Sequence, residues 1–498
     1  MRSSKKTISV SEQRIQRMLE ILPGFISWNL ILFPVWGAFV MPLVVAYFIL
    51  AFDIFWFYKS VAIAFASLVA HTRLQAAQRL DWMKEVEGFP DWRRVKHVVF
   101  VTTYKEPLHT IQRTLRSLTA QTWPKSGFIV VVGFENREDP AAREEKRKAI
   151  EKEFGKKFGI FLTTVHIDQP GETVGKHSNA RWMALHLRPL LKKKKINFHY
   201  LTASSCDADH VYHPSHFAYL GYRFLDSPAR YERIWQPAIV FYNNFWKLPA
   251  LSRVANTFGS IWNTALLART DRLVNQQNYS LSWDLLEKID FWDPEVIPED
   301  YRIFFKAFFK TEGKVEVEPI YLPLSADAAE STSFWKTMVN QYEQFKRWAW
   351  GVSDDPYIIK QFFRSKSISF SNKVIRVAKV LEDHFLWPVN WFLITIGINI
   401  VTFLNPAFSR TVLGYTIPQI SSTILTICLV FLAVILWVDA RQRPARPEGY
   451  PRIRALLIPL EFILMPLVGF IFNALPGLDA HTRLMMGKYL EYRVTEKV

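Results

Sequence analysis

A chain of 498 residues is long enough for a substantial core and, by length alone, for roughly two to four domains. Half of it is hydrophobic and 15% aromatic while 21% is charged, a blend that argues for apolar spans joined to a soluble part and against one globular domain. The net charge of +17 leaves nucleic acid, anionic lipid and phosphorylated substrates open, whereas two cysteines, Cys206 and Cys428, exclude a disulfide framework and a cysteine-rich zinc site.

The opening MRSSKKTISVSEQRIQRM has neither the apolar core nor the small-residue cleavage site of a secretory signal. From about residue 21 to 70 the chain is almost continuously apolar, too long for one crossing, and is predicted to form two helices broken near Pro42. Asp53 lies inside this stretch, where a charge is costly, and is expected at an interface or facing protein.

From about residue 74 to 333 the pattern changes to short apolar runs alternating with helical stretches. HVVFVTTY (97–104), FIVVVGF (128–134), IFLTTVHI and FHYLT (198–202) read as strands, separated by helices over 108–120, after Pro140 and over GKHSNARWMALHLRPLL. Such alternation implies right-handed βαβ units and an α/β domain with a mostly parallel, doubly wound sheet. Ligands of such sheets bind beyond the strands' carboxyl ends. The polar clusters TTYKEP, ENRED, DQPGETVGKHSN and SSCDADH all fall there.

Near the end come three more apolar segments, 385–404, 420–438 and 455–472. DARQRPARPEGYPRIR, between the last two, carries five arginines and is placed in the cytoplasm by the positive-inside rule. Counting back across two crossings puts the α/β part there as well. A third full crossing would leave the basic tail outside, against the same rule, so the last segment, with Pro459 and Pro466, is either re-entrant or an exception. Residues 356–384, where Lys and Arg interleave with Phe, Ile and Val, read as interfacial helices on an anionic leaflet.

Three clusters carry candidate chemistry, each with a plainer reading beside it. Asp207 and Asp209 stand one residue apart, so alternation along an extended segment would put both carboxylates on one side, ready for Mg2+ or Mn2+; a solvated acidic loop is the alternative. His210 follows directly and reads as structural more readily than as a ligand. Glu299 and Asp300 precede a helical stretch, where they could cap its start or supply a general base. Gln344, Arg347 and Trp348 share one helix face, suited to a diphosphate and a sugar ring, or equally to a membrane surface.

SSCDAD, PED and QFKRW follow the order and rough spacing of the D-x-D, T-E-D and Q-x-x-R-W motifs of membrane-integrated family 2 glycosyltransferases, which the chain resembles over about residues 97–351. That group holds cellulose, chitin and hyaluronan synthases and, more distantly, ceramide glucosyltransferase. TTYKEP is similar to the family's P-T-Y-N-E-P, and GKHSNA to its G-K-x-x-A, with Asn179 where a small residue is usual. The resemblance implies a type A glycosyltransferase fold and an inverting direct displacement. It places Thr103, Tyr104 and Glu106 around the nucleoside with Lys176 nearby, Asp207 on the nucleotide, and Asp209 on the metal. Asp300 becomes the base beside Glu299, Gln344 and Arg347 hold the diphosphate, and Trp348 bounds the acceptor. Two positions depart from the pattern: Pro298 replaces the usual threonine, and Glu135 stands where relatives carry aspartate to accept from the base's imide.

The layout that follows is a cytosolic segment 1–20, two transmembrane helices within 21–72, a catalytic domain 73–333, interfacial helices 334–384, three transmembrane segments within 385–475 and a basic tail 476–498. The expected activity is sugar transfer from a nucleotide sugar, a UDP-hexose, to a growing polysaccharide at a cytosolic face of the cell membrane. Single transfer to a lipid acceptor is the alternative, and an inert transport or scaffold protein a weaker one. The bilayer is an expected partner and accessory subunits are undefined. Nucleic acid is not expected, because many basic residues cluster beside the apolar segments.

Overall fold

The structure is a computed structural model that describes residues 10–491; the first nine residues of the N-terminal segment and the last seven of the basic tail lie outside the described residues. The chain divides into two compact units, one of residues up to 60, 342–430 and 465–491, the other of 61–341 with 431–464.

Among the described residues, five helices are long and apolar enough to cross a membrane: Val10–Val40, Pro42–Arg79, Phe370–Leu404, Val412–Gln442 and Arg452–Met486. The first two are separated only by Met41, immediately before Pro42, whose ring offers no N–H to continue the ladder. Both run beyond the expected 21–72. The third begins at Phe370, so the stretch read as interfacial continues without a break into an apolar helix. The last is interrupted by 3-10 and π turns at Ile458–Leu464 and Phe470–Ala474, next to its prolines. In the first unit Ala38, Val45, Ile49, Val389, Leu393 and Val401 form an apolar core. Asp53 faces protein: it is 0% exposed and accepts the Ser421 hydroxyl at 2.5 Å. Lys59 likewise meets Glu382 at 2.6 Å rather than lipid.

The second unit holds one eight-stranded sheet: β1 (Lys96–Thr102), β2 (Phe128–Glu135), β3 (Ile160–His166), β4 (Leu201–Asp207), β5 (Val211–Tyr212), β6 (Arg233–Val240), β7 (Tyr279–Ser282) and β8 (Glu316–Ser325), in the order β3-β2-β1-β4-β7-β6-β8-β5. The first four are parallel. β2 is buried along its whole length, as a strand covered on both faces must be. Beyond β4 the sheet turns mixed, with β7 antiparallel to both β4 and β6 and only β8 parallel to β6. The order reverses between β1 and β4, which makes their carboxyl ends the switch point. β5 starts four residues after β4 ends yet pairs at the far edge with β8, so the sheet curls and its closure falls on the acidic turn.

β4 starts at Leu201, not Phe198. Asn197 accepts the His199 N–H and sets residues 198–200 in a tight turn, while the polar SSCD continues the strand. Of its two buried serines, Ser204 is tolerated in the core because it pairs with Ser280 at 2.7 Å.

Candidate active site

Asp207 closes β4, opposite Thr102 of β1. The chain then turns, and it is this turn, not alternation along a strand, that brings Asp209 round beside Asp207. Ligand atoms of Asp207, Asp209 and His210 lie within 4.8 Å of one another. His210, expected to be structural, therefore belongs to the cluster, with Nδ1 3.8 Å from Asp207 Oδ2. Asp209 is only 4% exposed and is gripped on two levels: its Oδ2 accepts the Asp327 N–H at 3.1 Å, and its carbonyl accepts Asn243 Nδ2 at 3.1 Å and Arg113 Nη2 at 3.4 Å. Arg113 forks onto Asp327 at 2.7 and 2.6 Å. The two carboxylates are hard donors that suit Mg2+ or Mn2+, and the borderline imidazole beside them matches Mn2+ better than Mg2+.

Lys176 opens the helix Lys176–Lys193 and ties the acidic turn to the PED segment. Its ammonium lies 2.7 Å from Asp207 Oδ1 and 3.6 Å from Glu299 Oε1, and also donates to the Gln277 carbonyl. Burial works against the ammonium's charge, but Asp207 and Glu299 outweigh it and hold the pKa above the usual lysine value. Burial would raise Asp207 too, yet Lys176 and His210 keep it below the usual aspartate value.

Glu299 and Asp300 stand in the first turn of the helix Glu299–Lys310, though neither acts as its N-cap, which is Pro298. Glu299 Oε2 accepts the Tyr279 hydroxyl at 2.5 Å, and that oxygen accepts Trp292 Nε1 at 2.7 Å. Burial pushes Glu299 up to about 7 despite Lys176. Asp300 accepts the Gln277 N–H on Oδ2 at 3.1 Å and the Tyr301 N–H on Oδ1 at 3.0 Å. Burial raises its pKa, and these two bonds pull the other way.

After β1, Glu106 folds back to accept the Thr103 hydroxyl at 2.8 Å and the Tyr104 N–H. The tight loop puts Lys105 at φ 65°. Desolvation pushes the Glu106 carboxyl up to about 7. A carboxyl raised in the folded state stabilises fully below its unfolded value and loses that contribution as pH rises through about 7. Glu106→Gln should therefore match the parent's unfolding midpoint at pH 5 and exceed it at pH 8. The gain, at most about 2 kcal/mol, is read from thermal unfolding of the full chain in detergent.

Glu135 ends β2 directly opposite His166 of β3. Its Oε1 accepts Asn179 Nδ2 at 3.0 Å, while Oε2 lies 3.1 Å from His166 Nδ1 and 3.3 Å from Arg137. The other ring nitrogen of His166 lies 3.1 Å from Glu172. Burial opposes charge on His166, but Glu135 and Glu172 outweigh it and raise the pKa. Both ring nitrogens of His166 thus face carboxylates, and Glu135, His166 and Asp168 also have the spacing of a ligand group. Glu135 is met by Asn179, His166 and Arg137. The Arg137 guanidinium stacks 4.7 Å over the Tyr104 ring.

Thr103, Tyr104, Glu106, Glu135, Lys176, Asn179, Asp207, Asp209, Glu299 and Asp300 thus all belong to the second unit, on or next to strand ends. Gln344, Arg347 and Trp348 lie on the helix Phe334–Ala349, in its part that belongs to the first unit. The Trp348 ring packs 4.8 Å from Phe345. His166, Glu172, Asp327 and Tyr279 escape sequence reasoning, since their partners are brought in by strand register and loop closure. Only His210 had a local signal, its place beside the acidic pair.

The described residues thus form a curled α/β sheet with an acidic cluster at its switch point, in a chain with five described helices of membrane length. Residues 206–438 match the family described as Glycosyl transferase family group 2, and the apolar helices among the described residues fit a membrane-integrated member. No curated protein matches the chain. Among solved structures it is similar to the mannosyltransferase PcManGT from Pyrobaculum calidifontis in complex with GDP-Man and Mn2+, at 12% identity over 89% of this chain and 100% of that one, TM-score 0.45. It is also similar to S. aureus TarS 1-349 in complex with UDP-GlcNAc, at 15% identity over 72% and 98%, TM-score 0.36. GalNAc-T7 with UDP, GalNAc and Mn2+ is similar at 13% identity over 63% and 58%, TM-score 0.32.

Proposed function

We propose that the protein transfers a hexosyl group, with inversion, from a UDP-hexose to a growing polysaccharide, working on a type A fold at the cytosolic face of the cell membrane. The observation that carries this reading is the Lys176 bridge, which joins the acidic turn to the PED segment through Asp207 and Glu299. Leaving-group chemistry and acceptor activation must meet at one anomeric carbon, and the bridge brings their candidate residues together.

In this reading the acceptor oxygen attacks the anomeric carbon, the carbon–oxygen bond to the diphosphate breaks with its electron pair, and the acceptor proton passes to Asp300. Asp300 takes a backbone N–H on each oxygen and keeps a lone pair on each for a substrate hydroxyl, whereas Glu299 is tied to the Tyr279 hydroxyl and has its basicity lowered by the Lys176 ammonium it faces. Asp209, with Asp207 and His210, would hold Mg2+ or Mn2+, which when bound neutralises the diphosphate leaving group. Thr103, Tyr104, Glu106, Glu135 and Asn179 would surround the nucleoside. Gln344 and Arg347 would grip the diphosphate, and Trp348 would bound the acceptor.

Five membrane-length helices also suit a single transfer to a lipid. Incubating the full chain with labelled UDP-hexose and Mn2+ separates the two. A ladder of products is expected, one chloroform-soluble product would establish the lipid acceptor, and no metal-dependent release of UDP from any of a panel of UDP-sugars would overturn both.

A further inference from the structure

The segment after β6, YNNFW at 242–246, keeps different company on its two faces. On one, Asn243 gives its amide to the carbonyls of Asp209 at 3.1 Å and Ser325 at 3.3 Å. Asn244 donates to the Ala328 carbonyl at 3.0 Å and to Glu330 at 2.9 Å, and accepts the Ala328 N–H at 2.9 Å. Together the two asparagines pin the strap 325–330, whose Asp327 N–H reaches the Asp209 carboxylate. On the other face, the Tyr242 hydroxyl donates to Asp439 Oδ1 at 2.6 Å. Arg443 closes on Oδ2 of the same buried aspartate at 2.5 Å and lies 5.1 Å over the Phe245 ring. Trp246 packs edge-on against Tyr450 at 5.0 Å. Arg253 completes the clasp, holding the Phe245 and Leu248 carbonyls and meeting Glu461 at 2.9 Å.

Asp439 lies at the end of the apolar helix Val412–Gln442, and Arg443 just beyond it. A buried ion pair adds little net stability over an apolar pair of similar volume, so its presence there is better explained by what it holds in place. Ligands to a cation need outer partners that fix their orientation, and removing one such partner lowers metal affinity by about 10- to 100-fold.

We propose that YNNFW is a positioning bracket, through which Asp439 and Arg443 at the end of a membrane-length helix set the geometry of the Asp209 turn for a divalent cation. Asn243 is the positioning residue in direct contact, and Tyr242 transmits the anchor. The inference rests on the reading of Asp209 as a metal-holding residue.

The test is calorimetric titration of the purified full chain in detergent with Mn2+ alone, paired with unfolding midpoints. Asn243→Ala is expected to weaken Mn2+ binding about 10- to 100-fold. Tyr242→Phe and Asp439→Asn should each weaken it several-fold, and the double variant should be no worse than the poorer single one, as for two members of one path. The Mn2+ concentration giving half-maximal transfer should rise by the same factors. If Asp209→Asn loses Mn2+ binding while Asn243→Ala and Tyr242→Phe bind as the parent does, the bracket is overturned and the metal reading stands. If Asp209→Asn itself binds as the parent does, the metal reading fails and the bracket falls with it.

Discussion

Asp300→Asn is expected to lower kcat by about 10²- to 10⁴-fold, the range over which a positioned general base contributes, with donor affinity unchanged. The amide keeps the volume, and its single oxygen keeps one of the Gln277 and Tyr301 N–H groups but not both, since these reach different oxygens of the aspartate, so a modest drop in the unfolding midpoint accompanies the loss of rate. What it loses is a site for the acceptor's proton. The neighbouring Glu299 does not substitute, because it is held by the Tyr279 hydroxyl and its basicity is lowered by the Lys176 ammonium it faces. In the parent, burial raises Asp300 above the usual aspartate value, so the base is lost as pH falls, and the parent's rate should climb from acid pH toward neutral. The variant should show no such limb. Steady-state kinetics with labelled donor, paired with calorimetric donor binding, check both parts. A variant that turns over within about tenfold of the parent removes Asp300 from the role of base.

The contrast between Asp300 and His166 marks what the sequence could carry. β1 and β2 were legible because a strand covered on both faces must be apolar throughout, and that leaves an unbroken run. The acidic pair was legible as chemistry but not as geometry: Asp207 ends a strand and Asp209 sits in a turn, a difference of backbone path that D-x-D does not encode. β4 was displaced by three residues because its polar SSCD end looks like a loop until Ser280 is brought alongside. β6 to β8 went unread, since they run antiparallel or at the curled edge and owe their place to pairing with distant strands. For the same reason the Glu135–His166–Glu172 array is invisible in one dimension: strand register alone places residues 135 and 166 side by side. Glu135 for aspartate, a puzzling departure as a motif position, makes sense as one end of that array.

Lys176→Met is expected to separate activity from stability through opposite dependences on pH. The ammonium offsets two carboxylates, Asp207 at 2.7 Å and Glu299 at 3.6 Å, and without it they face each other with no cation between them. Breaking a buried pair in this way costs roughly 3–5 kcal/mol. The lower end applies here, because Asp207 keeps 32% of its side chain exposed. In the parent, Asp207 sits below the usual aspartate value and so contributes stability that is present above that value and lost only as pH falls. In the variant both carboxylates move up, Glu299 beyond its present value of about 7. A proton taken up by one of them relieves the repulsion, so the variant's unfolding midpoint should be higher at pH 6 than at pH 8. The share of that proton held by Asp207 removes a donor from the acidic turn, so Mn2+ binding and transfer should be weaker at pH 6 and partly recover toward pH 8.5. A purely structural lysine would make both readouts move together. Unfolding and Mn2+ titration across pH 6–8.5 therefore decide whether Lys176 sets the charge of the turn or merely fills space beside it.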